Sequence, residues 1–259
     1  MFKDLFNAIR DPKSWVYPAW LSIAVQYRKS YVGWLWMLAG PAVFVFIVGP
    51  LFGRFSKHDP DFFIPYLTCG MIIFQYSSGI LTGSTSLYKS NKNLLLQGKR
   101  FYSRIPLIFI VRKLLNFLVT SLLIICVLFI YEVSLTSHII YLLPGLLLII
   151  IHSLWVSIVF GVLGARFHDV GEAIAAIMRV AFLATPIIWI PSDVGRGAVV
   201  GAYLMFNPFY HAMEPIRGAI LGYPAPTMSW VVSSVAALIG MIVAATVYKR
   251  YSQHIVMWT

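Results

Sequence analysis

QYRKSYVGWLWMLAGP (Gln26–Pro41) is the stretch on which the reading of this chain turns. To its left lies an aromatic, basic segment too polar to enter a bilayer, and to its right begins an uncharged run from Ser30 to Gly53. Arg28 and Lys29 stand at the junction, followed at once by Tyr31, Trp34 and Trp36. Basic residues collect on the cytoplasmic side of a membrane, and Trp and Tyr collect at its interface with water. The stretch therefore reads as the point where an interfacial helix becomes a membrane span, and it orients everything after it.

Composition agrees. Of 259 residues, 59% are hydrophobic and 11% charged, against about a quarter charged in soluble domains. The mean hydropathy is +0.81, and several uncharged runs exceed the roughly 18 residues that mark a spanning helix. The net charge of +11 sits in clusters between apolar runs rather than over a soluble surface. That pattern fits the positive-inside rule and argues against nucleic-acid binding. Cys69 and Cys126, the only cysteines, lie inside apolar runs and read as small packing residues. The first 33 residues lack an apolar h-region with a small-residue cleavage site, so no cleaved signal peptide is expected.

Phe2, Leu5, Phe6 and Ile9 recur at helical spacing among polar residues, a short amphipathic helix ended by Pro12. A second such pattern places Trp20, Ala24, Tyr27 and Tyr31 on one face. Both suit an in-plane interfacial helix, or a helix packed on another protein. Apolar runs then predict spans at about 34–52, 64–88, 106–131, 139–165, 172–190 and 227–248. The segment 197–222 holds two apolar pieces, each half the crossing length, split by Asn207-Pro208. They suit re-entrant helices between spans five and six, or an external loop with two surface helices. The expected fold is thus an all-α polytopic membrane protein with six transmembrane helices and an N-terminal interfacial amphipathic helix. Its parts are interfacial helices over 1–33, a transmembrane domain over 34–250 and a tail over 251–259.

Six spans place both ends on one side. Fifteen of the 20 Lys and Arg residues fall there, while Arg54, Lys57, Arg196 and Arg217 fall opposite and Arg179 lies inside a span. Both termini are therefore expected in the cytoplasm. Small residues recur at every fourth position in Ser153, Ser157, Gly161 and Ala165 and in Ala236, Gly240 and Ala244, and Gly218 with Gly222 forms one GxxxG. Such seams let helices approach closely.

Catalytic patterns are missing from the sequence. There is no GxxxxGK[ST] loop, HExxH, GxSxG or CxxC. The six histidines have no ligand spacing, and the carboxylates form no paired set. A membrane-embedded envelope-assembly enzyme, a glycosyl- or acyltransferase, is the alternative reading. It would need an intramembrane histidine or carboxylate cluster.

The chain resembles the membrane subunit of type-2 ABC exporters of lipid-linked polysaccharide, the family of O-antigen, capsule and teichoic acid exporters. The resemblance rests on Tyr27-Arg28-Lys29-Ser30 with Gly33-Trp34-Leu35-Trp36 and Pro41, and on Arg166-Phe167-His168-Asp169. Thr185-Pro186-Ile187-Ile188, and Asn207-Pro208-Phe209-Tyr210 leading to Glu214 and Arg217-Gly218, complete it in the same order. It implies a homodimer in the bacterial inner membrane and a pore at the subunit interface. It also implies two separate ATP-binding cassette subunits on the cytoplasmic face, which bind ATP and Mg, so that no cofactor is expected in this chain. The cargo it implies is polysaccharide on an undecaprenyl diphosphate-type carrier.

In that frame Arg28 and Lys29 sit at headgroup level, where they meet a diphosphate or serve only as topology anchors. Trp36, Phe44, Phe74, Tyr76, Phe182 and Trp189 are candidates to offer flat faces to sugar rings, or pack against helices and lipid. Lys92, Lys99, Arg100 and Arg104 are candidates to dock the ATP-binding partner, or belong to a solvated basic loop. Arg179 either lines the cytoplasmic half of the pore, or snorkels or pairs with Glu172.

Overall fold

The computed structural model describes residue 8 and residues 10–28, 30–98, 101–192 and 198–259, without the side chains at 27, 101 and 198–200. The expected helix over residues 2–9 lies outside this description but for Ala8, as do Lys29, Lys99, Arg100 and Arg196. Eleven α-helices and no strand occur among the described residues. They are α1 (Lys13–Tyr27), α2 (Trp36–Gly53), α3 (Pro60–Thr85), α4 (Lys92–Leu96), α5 (Phe101–Ile130) and α6 (Leu142–Arg166). Then follow α7 (Val170–Ala184), α8 (Ala198–Met205), α9 (Pro208–Leu221), α10 (Thr227–Tyr251) and α11 (Ile255–Trp258). The protein is an all-α polytopic membrane protein.

Five helices among the described residues are long and apolar enough to cross a membrane: α2, α3, α5, α6 and α10. The expected fifth span is shorter than read from the sequence. Its helix, α7, has 15 residues, about 22 Å at 1.5 Å per residue, against a hydrocarbon core of about 30 Å. The cause is Thr185-Pro186. Proline removes an N–H and pushes the preceding residue out of helical geometry, and Thr185 is extended at φ −84°, ψ 140°. The second span also shifts from the expected 64–88. Pro60 begins α3, since proline is favoured in a first turn, and the helix stops at Thr85.

Helix α3 is the centre of the bundle. Of its apolar window 72% is buried inside the chain, against 17% for α2, and it packs on α2, α5, α6, α7 and α9. The small-residue seam on α6 faces it: Ser153, Ser157, Gly161 and Ala165 are buried, and a Cβ on Gly161 would come within 2.9 Å of the Tyr88 ring. Gly240 on α10 lies against the Trp155 ring, 2.4 Å from an added Cβ. Trp155 donates its indole N–H to His152 Nδ1 at 3.0 Å, so His152 Nε2 carries the proton shared with Ser233 Oγ at 3.1 Å. Gly218 and Gly222 have another role than the expected GxxxG seam. Gly222, at φ 78°, is the left-handed stop of α9, with Tyr223 N–H bonded to the Gly218 carbonyl.

Three further expectations change. Tyr31 lies beyond the end of α1 and is fully exposed, so the face read through Trp20 and Ala24 stops at Tyr27. Cys69 is buried as expected, but Cys126 is exposed on α5. The segment after residue 250, read from the sequence simply as a tail, is folded. Ile255 is fully buried, and α11 packs on α4 and α6.

Candidate functional site

Helices α2, α3 and α7 enclose a groove of about 700 Å³. Phe44 enters it from α2, Phe74 with Gln75, Ser78, Gly79 and Thr82 from α3, and Arg179 and Phe182 from α7. Its rings form a chain of edge-on contacts: Phe44 to Phe182 at 5.7 Å, Phe182 to Phe74 at 5.6 Å, and Phe74 to Phe209 of α9 at 5.4 Å. Residues on one helical face recur at three or four positions, which is why Arg179 and Phe182 share the groove side of α7. Four of the residues singled out in the sequence therefore meet here.

Arg179 is exposed to the groove, and so is its charge. Among the described residues it forms no ion pair, so the alternative of pairing with Glu172 is not made. The two residues are seven apart, but both are exposed and neither is held by packing. No carboxylate lines the groove among the described residues. Its walls are aromatic and hydroxyl-bearing around one guanidinium, a surface suited to an amphiphile carrying negative charge.

The other path candidates lie elsewhere. Tyr76 is on the opposite face of α3 from Phe74, because two residues of helix turn by about 200°. Its hydroxyl bonds Ser153 Oγ at 2.8 Å and its ring packs on Phe117 at 5.0 Å. Trp36 stands exposed in the first turn of α2, outside the groove. Trp189 donates to the Leu183 carbonyl at 3.1 Å, a helix-end contact. Arg28 is exposed just past α1.

The described part of the basic segment between α3 and α5 makes several contacts with its neighbours. Lys89 Nζ lies 3.1 Å from His168 Nδ1, and Lys92 donates to the Thr259 carbonyl at 2.9 Å. Leu95 is buried, and the Arg166 guanidinium lies 5.3 Å from the centre of the Trp258 ring. Arg104 pairs with Asp11 at 3.3 Å, which fastens the start of α5 to the N-terminal segment.

Sequence reading missed a buried centre beside the groove. Arg217, counted there among outward cations, has no solvent exposure at all. Its Nη2 donates to Glu214 Oε1, its Nη1 to the Pro186 carbonyl at 2.7 Å, and its guanidinium carbon stands 3.7 Å from the centre of the Tyr66 ring. Tyr223 donates its hydroxyl to Glu214 Oε2 at 3.0 Å. The same break in α7 is served by α8 and α9. Tyr203 donates to the Ala184 carbonyl at 2.7 Å, and Asn207 Nδ2 to Thr185 Oγ1 at 3.2 Å, while Asn207 Oδ1 caps α9 through the N–H groups of Phe209 and Tyr210. Carbonyls freed at a helix end need partners, and these side chains supply them. The available signal was Glu214 and Arg217 three residues apart, hence on one helical face.

Comparison with known proteins adds three kinds of relative. The sequence profile of the ABC-2 type transporter family matches residues 17–221. The O-antigen export system permease protein RfbA of Klebsiella pneumoniae is 21% identical over 236 residues, 89% of this chain and 90% of that protein. A protein of the same name from Myxococcus xanthus is 19% identical over 86% of each chain. The polysialic acid transport protein KpsM of Escherichia coli is 24% identical over 88% of this chain and 89% of its own.

Proposed function

This chain belongs to the ABC-2 type transporter family, and from that premise we propose that it is the permease subunit of an ATP-driven polysaccharide exporter. The related permeases named for O-antigen export and polysialic acid transport support that cargo class. In the finer reading the cargo is carried on a polyprenyl diphosphate lipid, and two copies of the chain form the path in a bacterial inner membrane. Two ATP-binding subunits supply the energy, with ATP and Mg bound there. With the short α7 counted as a sixth crossing, both termini and the segment 89–104 face the cytoplasm, on the charge asymmetry of the sequence. The ordered contacts of Lys89, Lys92 and Arg104 support that segment as the partner's docking place, since a docking surface must keep its shape to transmit motion.

One observation carries the reading: an aromatic groove whose single guanidinium has no counter-ion among the described residues. Aromatic faces suit sugar rings and make few directional demands, and a planar fork suits a diphosphate. Arg179→Gln, present at wild-type levels, should lower export by roughly 10- to 100-fold, the worth of one hydrogen bond to a charged group. Arg179→Lys, which keeps the charge and loses the fork, should fall between. Normal export by well-expressed Arg179→Gln would end the assignment. Orientation is tested separately: single cysteines at positions 57 and 99, labelled from outside intact cells, should react only at 57.

A further inference from the structure

Lys113 is a second cation without a counter-ion among the described residues, and its ammonium lies against Gly79, a residue of the groove wall. Seventeen residues of α5 follow it to Ile130, about 26 Å of helix. That is close to the hydrocarbon thickness of about 30 Å, so Lys113 sits near the depth where acyl chains give way to headgroups. Its neighbour Arg112 is exposed and is sufficient as an orienting charge. Lys113 instead is half-buried and directed at α3. Its Cε passes Gly83, 3.5 Å from where a Cβ would stand, and its Nζ lies 3.3 Å from a Cβ placed on Gly79. The Phe109 ring, with its centre 5.7 Å from Nζ, flanks it.

An ammonium half-buried between helices is costly unless an anion meets it. Among the described residues Lys113 has no hydrogen bond or ion pair. Gly79 is the link to the groove. It lines the same wall as Ser78 and Thr82, opposite Arg179, and having no side chain it leaves nothing of its own between the ammonium and that wall.

We infer that Lys113, reaching past Gly79, and Arg179 form a phosphate-binding position for a lipid-borne phosphate at the groove edge. The ligand must be anionic to answer two uncompensated cations, and it must carry an apolar body to lie among Phe44, Phe74 and Phe182. A bilayer phospholipid and a diphosphate-linked cargo lipid share this chemistry. The second source rests on the export reading above; the first does not.

The test uses the purified full-length chain in nanodiscs, with binding read by native mass spectrometry and displacement. Three probes serve: a polyprenyl diphosphate, phosphatidylglycerol and the uncharged polyprenol. The wild-type protein should prefer at least one phosphate lipid to polyprenol by tenfold or more, a comparison that needs no variant. Lys113→Met should lose most of that preference, Lys113→Arg should keep it, and Gly79→Val, which crowds the ammonium, should weaken it several-fold. A tenfold preference for the diphosphate over phosphatidylglycerol assigns the position to cargo, and equal binding assigns it to the bilayer. Equal binding of polyprenol and both phosphate lipids overturns the site, as does an undiminished preference in Lys113→Met. Phosphate binding in a protein that exports no polysaccharide would overturn the export reading and leave the site standing.

Discussion

Arg217→Ala should destabilise the protein by about 3–5 kcal/mol, the usual cost of removing one partner from a buried ion pair. The loss is large because four things fail together. Glu214 keeps its charge in a site with no solvent, the Pro186 carbonyl loses its donor, the Tyr66 face loses its cation, and a cavity opens where a fully buried side chain stood. The measurement is the melting midpoint of detergent-solubilised protein, together with the amount inserted in membranes. Glu214→Ala should fall in the same range, with Tyr223 losing its acceptor as well. The double variant should be less damaged than the two single losses added together, since it leaves no lone charge behind. A melting midpoint for Arg217→Ala within a degree or two of wild type would show that the pair does not hold α9 in the bundle.

That pair also marks where sequence reading stopped. The spans were legible because each holds a long apolar run with few charges, and length and hydropathy decide a membrane crossing before any packing is known. The fifth was misjudged because apolar residues continue past Thr185-Pro186, so hydropathy runs on where the helix does not. Arg217 was counted among the outward cations because the pieces around Asn207-Pro208 are too short to cross. A short helix can still be buried when neighbours surround it, and α9 packs on α3, α6 and α10. The folded end of the chain was signalled by Ile255-Val256-Met257-Trp258, four apolar residues after a basic stop.

In the groove, sequence reading supplied the residue types but not the faces. Phe44, Phe74, Phe182 and Arg179 converge there, while Tyr76, two positions from Phe74, points away. Without knowing which side of α3 meets α7, the two aromatic residues are equivalent; the bundle makes them opposites. Lys113 was read only for its charge. Its inward direction depends on glycines 79 and 83 of a different helix, a relation no periodicity within α5 contains.

Glycine decides the second large effect as well. Gly164→Ala should cost at least the 1–3 kcal/mol usual for overpacking, and more here, because the clash is with backbone. A Cβ at Gly164 would stand 1.9 Å from the Thr85 carbonyl oxygen and 2.6 Å from that residue's carbonyl carbon and Cα. A side chain can rotate away, but the end of a central helix cannot. Gly83→Ala makes the contrast, meeting side chains alone, the tip of the Phe109 ring at 2.8 Å and Lys113 Cε at 3.5 Å, and should cost far less. Gly40→Ala meets nothing within 4 Å and should be neutral or slightly favourable, since alanine suits a helix better than glycine. The three variants, ranked by melting midpoint and membrane level, should fall in the order Gly40, Gly83, Gly164 from least to most damaged. The crossing of α3 and α6 stands at the start of the basic segment, four residues before Lys89 and two before Arg166. Whatever Gly164→Ala does to stability, it must also move the segment read as the docking place. Protein that survives the substitution should therefore lose export out of proportion to its remaining level. A variant with normal stability and normal export would mean that the two helices need no such close approach.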